Sequence, residues 1–235
     1  EKMATAVVDE ADKRQSPLSD AVVVRFAGDS GDGMQLTGGQ FTLSSALAGN
    51  DFATFPDFPA EIRAPQGTLF GVSAFQINFG SSSIDTAGDA PDVLVAMNPA
   101  ALNTKAKYES NPLDDGSLAK WQLLKLNISQ LTMDAVKPFG LGNKEALRCK
   151  NMWTLGLALW MFDRDRQPLI DWLNGKFAMD PNLAAANVAA LNAGHAYGET
   201  AELAGPLKQH HVDPAPVAPG LYRTLTGAEG IALGL

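Results

Sequence analysis

Apolar positions in the first half of the chain come in short continuous runs separated by turn residues. Ala21-Val22-Val23-Val24-Arg25-Phe26 is a β-branched run suited to a buried strand. The glycine cluster Gly28-Asp29-Ser30-Gly31-Asp32-Gly33 follows, and the next stretch predicts a helix from Met34 to Ala48, stopped by Gly49-Asn50. Asp51-Phe52-Ala53-Thr54-Phe55 reads as a second short strand, ended by Pro56 and Pro59. Thr68 to Phe79 predicts another, with Leu69, Gly71 and Ser73 facing one way and Phe70, Val72 and Ala74 the other. Asp92-Val93-Leu94-Val95-Ala96-Met97 is a further apolar run, ended by Asn98-Pro99.

Strand and helix alternating, with continuous apolar strands, predict an α/β class: a Rossmann-like, mostly parallel sheet flanked by helices. After Ala100-Ala101-Leu102-Asn103 the pattern breaks. A crossover helix and strand are due, yet the chain enters the turn-rich Tyr108-Glu109-Ser110-Asn111-Pro112-Leu113-Asp114-Asp115-Gly116. A parallel crossover needs a dozen or more residues, so the expectation is a segment missing near Thr104 to Lys107. Trp121 to Leu126 resumes the sheet, and helices take over at Lys144–Phe162 (with Asn143 as N-cap), Pro168–Ala178 and Leu183–Tyr197. Trp153, Gly156, Leu157 and Trp160 recur at helical spacing, which is a core-packing stripe.

The domain expected from these elements is 21–204. Residues 1–20, polar and weakly periodic, are expected to be a mobile leader. Residues 205–220, rich in Pro, Ala and His, have a linker composition. Residues 221–235 restart order and are expected to be the stump of a second domain.

With 18 Lys and Arg against 26 Asp and Glu, the net charge is −8. That balance argues against a general affinity for nucleic acid or an anionic membrane. A single cysteine, Cys149, can neither close an internal disulfide nor supply the cysteines of a zinc or iron–sulfur centre. It fits a reducing, cytoplasmic setting. The first twenty residues hold five acidic and three basic side chains and no apolar run, unlike a signal peptide. No window reaches the roughly 18 apolar residues of a membrane span.

The loop 28–33 is the strongest local candidate for chemistry. Between a buried strand and a helix, its backbone amides could approach a phosphate at the helix N-terminus. Its order is G-x-x-G-x-G, not the dinucleotide fingerprint, and it lacks the Lys-Ser/Thr of a P-loop. Asp29 and Asp32 would repel an anion unless they turn outward or cap the helix, so a plain strand-to-helix turn is an equal reading. Arg63, in a proline-flanked loop after the second strand, could hold a carboxylate or phosphate bidentately, or pair with Glu61 or Asp57. His195 reads as a structural histidine at a helix end, and His210-His211 as solvated linker residues. Cys149, flanked by Arg148 and Lys150, has no His–Asp partner in the pattern and reads as a buried or incidental thiol. No complete catalytic constellation is present.

Taken in order, several segments resemble one family. Val24-Arg25-Phe26-Ala27-Gly28-Asp29-Ser30-Gly31-Asp32-Gly33 with Thr37-Gly38 is similar to the opening of the gamma domain of 2-oxoacid:ferredoxin oxidoreductases. Phe55-Pro56-Asp57-Phe58-Pro59-Ala60-Glu61-Ile62-Arg63-Ala64-Pro65 and Gly71-Val72-Ser73-Ala74-Phe75-Gln76-Ile77 fit the fused alpha subunit, of the 2-oxoglutarate type. Tyr108-Glu109-Ser110-Asn111-Pro112-Leu113, Lys150-Asn151-Met152 and Ala186-Asn187-Val188-Ala189-Ala190-Leu191 continue the series. Thr226 to Leu235 resembles the first helix of the family's next domain, which helps bind thiamine diphosphate; Ala228 departs from an expected asparagine.

The resemblance implies an enzyme that decarboxylates a 2-oxoacid on thiamine diphosphate with Mg, reduces ferredoxin through a 4Fe-4S cluster, and passes the acyl group reversibly to coenzyme A. It implies a beta subunit that carries most of the cofactor and cluster ligands, and a dimer of alpha–beta heterodimers. It gives the gamma domain a part in coenzyme A handling, with Gly28, Ser30, Gly31, Gly33 and Arg63 as candidate contacts and no catalytic or metal-ligating residue in this chain. The isolated fragment is expected to be inactive. The competing expectation is a free-standing nucleotide-binding Rossmann-like module.

Overall fold

In a computed structural model of the chain, the described residues are 4–9, 20–29, 31–58, 71–98, 101–102, 116, 118–119, 121–203, 207–218, 220–221, 223 and 225–234. The expected break at 104–107, Ser30 and Arg63 lie outside them.

Six strands form one sheet: β1 (Ala4–Asp9), β2 (Ala21–Asp29), β3 (Asp51–Asp57), β4 (Val72–Gly80), β5 (Val93–Ala96) and β6 (Trp121–Leu126). Their order across the sheet is β3-β4-β2-β5-β1-β6. The α/β class stands, but the mostly parallel sheet does not: only β2 and β5 pair in parallel, and the other four pairings are antiparallel. β4 turns back along β3 and then lies beside β2 over nine residue pairs, from Ala21↔Gly80 to Asp29↔Val72. The continuous apolar runs reflect a sheet covered on both sides, which either direction of pairing satisfies.

Two further expectations change here. The leader is in part a strand, because β1 fills the slot between β5 and β6, where backbone groups would otherwise lack partners. β3 also runs through Pro56 rather than stopping there. It is an edge strand paired only with β4, so a residue without an N–H is tolerated.

One face of the sheet carries the helices α1 (Met34–Leu47), α2 (Ile128–Val136), α3 (Asn143–Arg148), α4 (Lys150–Met161), α5 (Gln167–Lys176) and α6 (Pro181–Leu203). Val22, Val24 and Phe26 of β2 join Phe75, Ile77 and Phe79 of β4 in a core with Phe41, Trp153 and Phe162. The opposite face carries a smaller apolar cluster, in which Ala27, Ala74, Leu94 and Ala96 pack with Leu102 and Leu118, and the connection 81–92 lies across its polar part. Gln76 donates to the carbonyls of Ala87 and Gly88 at 2.8 and 2.6 Å, and Asn78 to that of Thr86 at 2.9 Å.

α2 is an element not anticipated above, although its buried Ile128, Thr132 and Val136 recur at helical spacing; Asn127 caps it by accepting from the Gln130 amide. The helix expected over 144–162 is interrupted at Cys149, and Asn143 lies inside α3, whose N-cap is Gly142. The α4 stripe is core as expected. α4 and α6 approach backbone to backbone: a Cβ on Gly156 would lie 1.9 Å from the Leu191 carbonyl oxygen, and one on Gly194 1.8 Å from that of Trp153. His195 sits within α6, not at its end, with Nδ1 3.2 Å from a Glu199 oxygen.

The expected linker is docked along 207–218. Leu207, Val212 and Ala215 are buried, and the Asn50 amide donates to the Asp213 carbonyl at 2.8 Å. Arg164, buried over the Phe79 ring, donates to Asn50 at 2.5 Å. Its desolvation lowers its pKa to about 10. His210 packs beside Phe162, and burial lowers its pKa below the usual imidazole value; His211 lies between Asp163 and Asp213. Both histidine side chains stay solvent-exposed, as the sequence reading has them, on a segment that the fold docks. A short helix, α7 (Gly227–Gly234), is capped reciprocally by Thr226 and Glu229.

Candidate functional site

The glycine loop leaves the carboxyl end of β2, beside Met97-Asn98 at the carboxyl end of β5, where open α/β sheets place ligands. The loop's aspartates turn inward. Asp32 Oδ2 accepts from the Asp29 amide at 3.1 Å and from Asn98 Nδ2 at 3.4 Å, and Asp32 Oδ1 accepts from Lys150 Nζ at 2.8 Å. Asn98, itself buried, also donates to Asp29 Oδ1 at 2.9 Å and accepts from the Ala101 amide at 2.7 Å. The Asp32 carboxylate thus binds the loop to Asn98 and takes Lys150 as its counter-charge.

Each glycine has a distinct part. A Cβ on Gly28 would meet the Asp32 side chain at 3.0 Å and Met97 at 3.1 Å, so Gly28 lets the network close. Gly33 caps α1 with a left-handed φ of 74°, and a Cβ there would lie 2.7 Å from Asn151 Nδ2. Gly31 has open space around it. The structure therefore gives Gly28 and Gly33 roles in shaping the loop and leaves Gly31 at its accessible tip. Asp57, a candidate partner for Arg63, accepts from Arg25 at 2.7 Å.

Beside the loop opens a cleft of about 630 Å³, bounded by Gly31, Asp32 and Leu36 on one side and by α3, the start of α4, α5 and the first turns of α6 on the others. The cleft size is typical of small-molecule sites. Its polar side holds Lys144, Arg148, Lys150 and Asn151; its apolar side holds Met152, Trp172, Leu173 and Phe177. Lys176 lies over the Trp172 ring at 4.5 Å. Cys149 also borders the cleft, but burial and the neighbouring Glu145 push its thiol up to about 11. A thiol held protonated in this way is a poor nucleophile.

Sequence reasoning singles out the glycines but misses Asn98 and takes Lys150 only as part of a family motif. Lys150 and Asp32 are 118 positions apart, so no local spacing reveals the pair. The legible signal is a Lys-Asn pair opening an otherwise apolar helix. Among the described residues, no group of three His, Cys, Asp or Glu side chains could hold a metal ion, and no helix is long and apolar enough to cross a membrane.

The family model described as pyruvate ferredoxin/flavodoxin oxidoreductase matches residues 23–197. The chain is 46% identical over 238 aligned positions to the 2-oxoglutarate oxidoreductase subunit KorA of Mycobacterium tuberculosis, covering 91% of this chain and 36% of that protein. Since 91% of 235 residues is about 214, about 24 of the aligned positions are residues of the relative without a counterpart here. The fold also matches the 2-oxoglutarate:ferredoxin oxidoreductase of Magnetococcus marinus, solved with 2-oxoglutarate, coenzyme A and succinyl-CoA bound. That match has a TM-score of 0.60 and 24% identity, over 85% of this chain and 33% of that one. A gamma subunit of a keto/oxoacid ferredoxin oxidoreductase from Geobacter sulfurreducens PCA aligns over 76% of this chain and 99% of its own, with 15% identity and a TM-score of 0.47.

Proposed function

From the premise that this chain belongs to the pyruvate ferredoxin/flavodoxin oxidoreductase family, we propose that it is the gamma domain of the alpha subunit of a 2-oxoglutarate:ferredoxin oxidoreductase. The observation that carries this reading is the 46% identity to a 2-oxoglutarate oxidoreductase subunit over 91% of the chain. The chain spans 36% of that relative's length, so the reaction belongs to a larger assembly. In that assembly a 2-oxoacid is oxidatively decarboxylated, its acyl group passes to coenzyme A, and two electrons pass to ferredoxin. Thiamine diphosphate supplies the carbanion chemistry when bound; with Mg and a 4Fe-4S cluster it is held, on this reading, mainly by a beta subunit. A single cysteine, too few for a cluster, supports placing the cluster ligands outside these residues.

The domain's own share is to present a pre-formed surface for coenzyme A beside the active site. Gly31 at the loop tip is a proposed contact, together with Ser30 and Arg63, which lie outside the described residues, with Gly28 and Gly33 holding the loop in shape. The native full-length protein, purified with its partner, tests the reading. A brown complex that reduces viologen only with 2-oxoglutarate and coenzyme A present is expected. A colourless single-subunit protein without that activity would overturn it and favour the free-standing nucleotide-binding module.

A further inference from the structure

β1 lies inside the sheet, yet its neighbours there come from far along the chain. It runs antiparallel to both, pairing from Thr5↔Ala96 to Val8↔Val93 with β5 and from Ala4↔Leu126 to Asp9↔Trp121 with β6. β5 and β6 are therefore parallel to each other and one strand width apart. The slot between them is bounded by two rows of backbone N–H and C=O groups, which an extended segment entering antiparallel satisfies on both sides.

The tie between β1 and β2 is longer than its path requires. Only β5 separates the two strands, and Asp9 stands at the amino end of β2. Closure within one molecule thus crosses two strand spacings, about 10 Å. Asp20 is pinned at that end, its carbonyl accepting from the Ser81 amide at 2.9 Å. Residues 10–19 can span roughly 33 Å, which leaves about 20 Å of reach beyond the crossing.

We infer that the slot between β5 and β6 is a strand-acceptor surface for a second copy of this chain. Residues 4–9 of each molecule pair with residues 93–96 and 121–126 of its partner, in a reciprocal exchange. The backbone pairs are the same in the closed and exchanged forms, so the concentration of competing strands decides between them. A tether of this kind holds its own strand at an effective concentration on the order of 1 mM. Dilute chains therefore close on themselves, and copies held side by side exchange. The crossing lies at the end of the sheet opposite the glycine loop, so the candidate site is left as it is. The inference stands on sheet topology and does not depend on the proposed function.

The test uses the native full-length protein with its partner, produced in the same cells in two versions under different affinity tags. One version carries Val8→Cys and the other Gln122→Cys, positions directly opposite in the register. Facing residues of an antiparallel pair have Cα atoms about 4.5–5.5 Å apart, within reach of a disulfide. Assemblies retaining both tags are oxidised after purification, and the linked peptides are quantified by mass spectrometry. A disulfide between the two versions is expected, at a tenth or more of the yield from one chain carrying both substitutions (the ratio for a rival strand at about 0.1 mM against about 1 mM). Thr5→Cys with Lys125→Cys, a second facing pair, is expected to link as well and guards against a misfolded first pair. Val8→Cys with Lys125→Cys, three positions out of register, is expected not to link. No link between versions in either facing pair, or equal linkage in the out-of-register pair, would overturn the exchange. Failure of the single-chain control to close would overturn the slot itself.

Discussion

Replacing Gly194 by alanine puts one methyl group where α4 and α6 touch. That Cβ would sit 1.8 Å from the Trp153 carbonyl oxygen. A relaxed carbon–oxygen approach is about 3.3 Å, so the helices must part by roughly 1.5 Å. A gap of about 0.5–1 Å already forfeits a quarter to a half of a dispersion contact. The contacts at stake are those of Trp153, Leu157 and Trp160, all buried at the crossing. Overpacking of this kind costs about 1–3 kcal/mol or more, and alanine's better helix propensity returns about 1 kcal/mol at most. We therefore expect Gly194→Ala to destabilise the chain by about 1–2 kcal/mol. For a domain of this size that is a fall in Tm of about 2–8 °C. Circular dichroism melts and urea titrations read it directly. Gly39→Ala is the control, since a methyl group on that exposed glycine of α1 would meet nothing within 4 Å. It should stabilise by about 0.5–1 kcal/mol. A Gly194→Ala protein that melts within 2 °C of the parent (about the noise of the comparison) would refute the close-packing argument.

Lys150→Met should leave the Asp32 carboxylate without its counter-charge and cost about 3 kcal/mol in chemical denaturation, whereas Lys150→Met combined with Asp32→Asn should recover part of the loss. Equal costs for the single and double variants would argue that the pair is not coupled. Cys149, with its thiol raised to about 11, should react with an aromatic disulfide at pH 8 about 100-fold more slowly than in the urea-unfolded chain. Because the folded state keeps that proton longer, its contribution to stability is present below about pH 9 and is lost as pH rises toward about 11. A native thiol reacting as fast as the unfolded one would contradict its burial. A segment of crossover size is expected between Asn103 and Tyr108 in the native polypeptide; peptide mapping that finds Lys105–Lys107 contiguous with Asn103 would dispose of it.

The elements that could be read from the sequence are those whose cause is local. The β2 run, the stop of α1 at Gly49-Asn50 and the Trp153–Trp160 stripe each follow from neighbours within a turn or a strand. Strand direction was not legible, because a strand buried on both faces has the same composition in either sense. The docking of 207–218 was hidden for another reason. Its anchors are backbone carbonyls reached by the Asn50 side chain from more than 160 positions away, and carbonyls leave no mark in composition. At the candidate site, the glycines announced a tight turn, but their chemistry depended on which way two aspartates pointed. That was decided by Asn98 and Lys150, distant residues that local spacing does not connect to the loop.

The placement of β1 sets an order of events during synthesis. Residues 4–9 emerge from the ribosome early, yet their partners are residues 93–96 and 121–126. At about 5–20 residues per second, the segment waits roughly 6–24 s before its second neighbour exists. Through that interval β5 and β6 cannot be joined, and the middle of the sheet presents open hydrogen-bonding edges. A nascent chain in that condition is a natural client for a chaperone, and slowing translation just past residue 126 should lengthen that engagement little, whereas a pause before it should lengthen it in proportion.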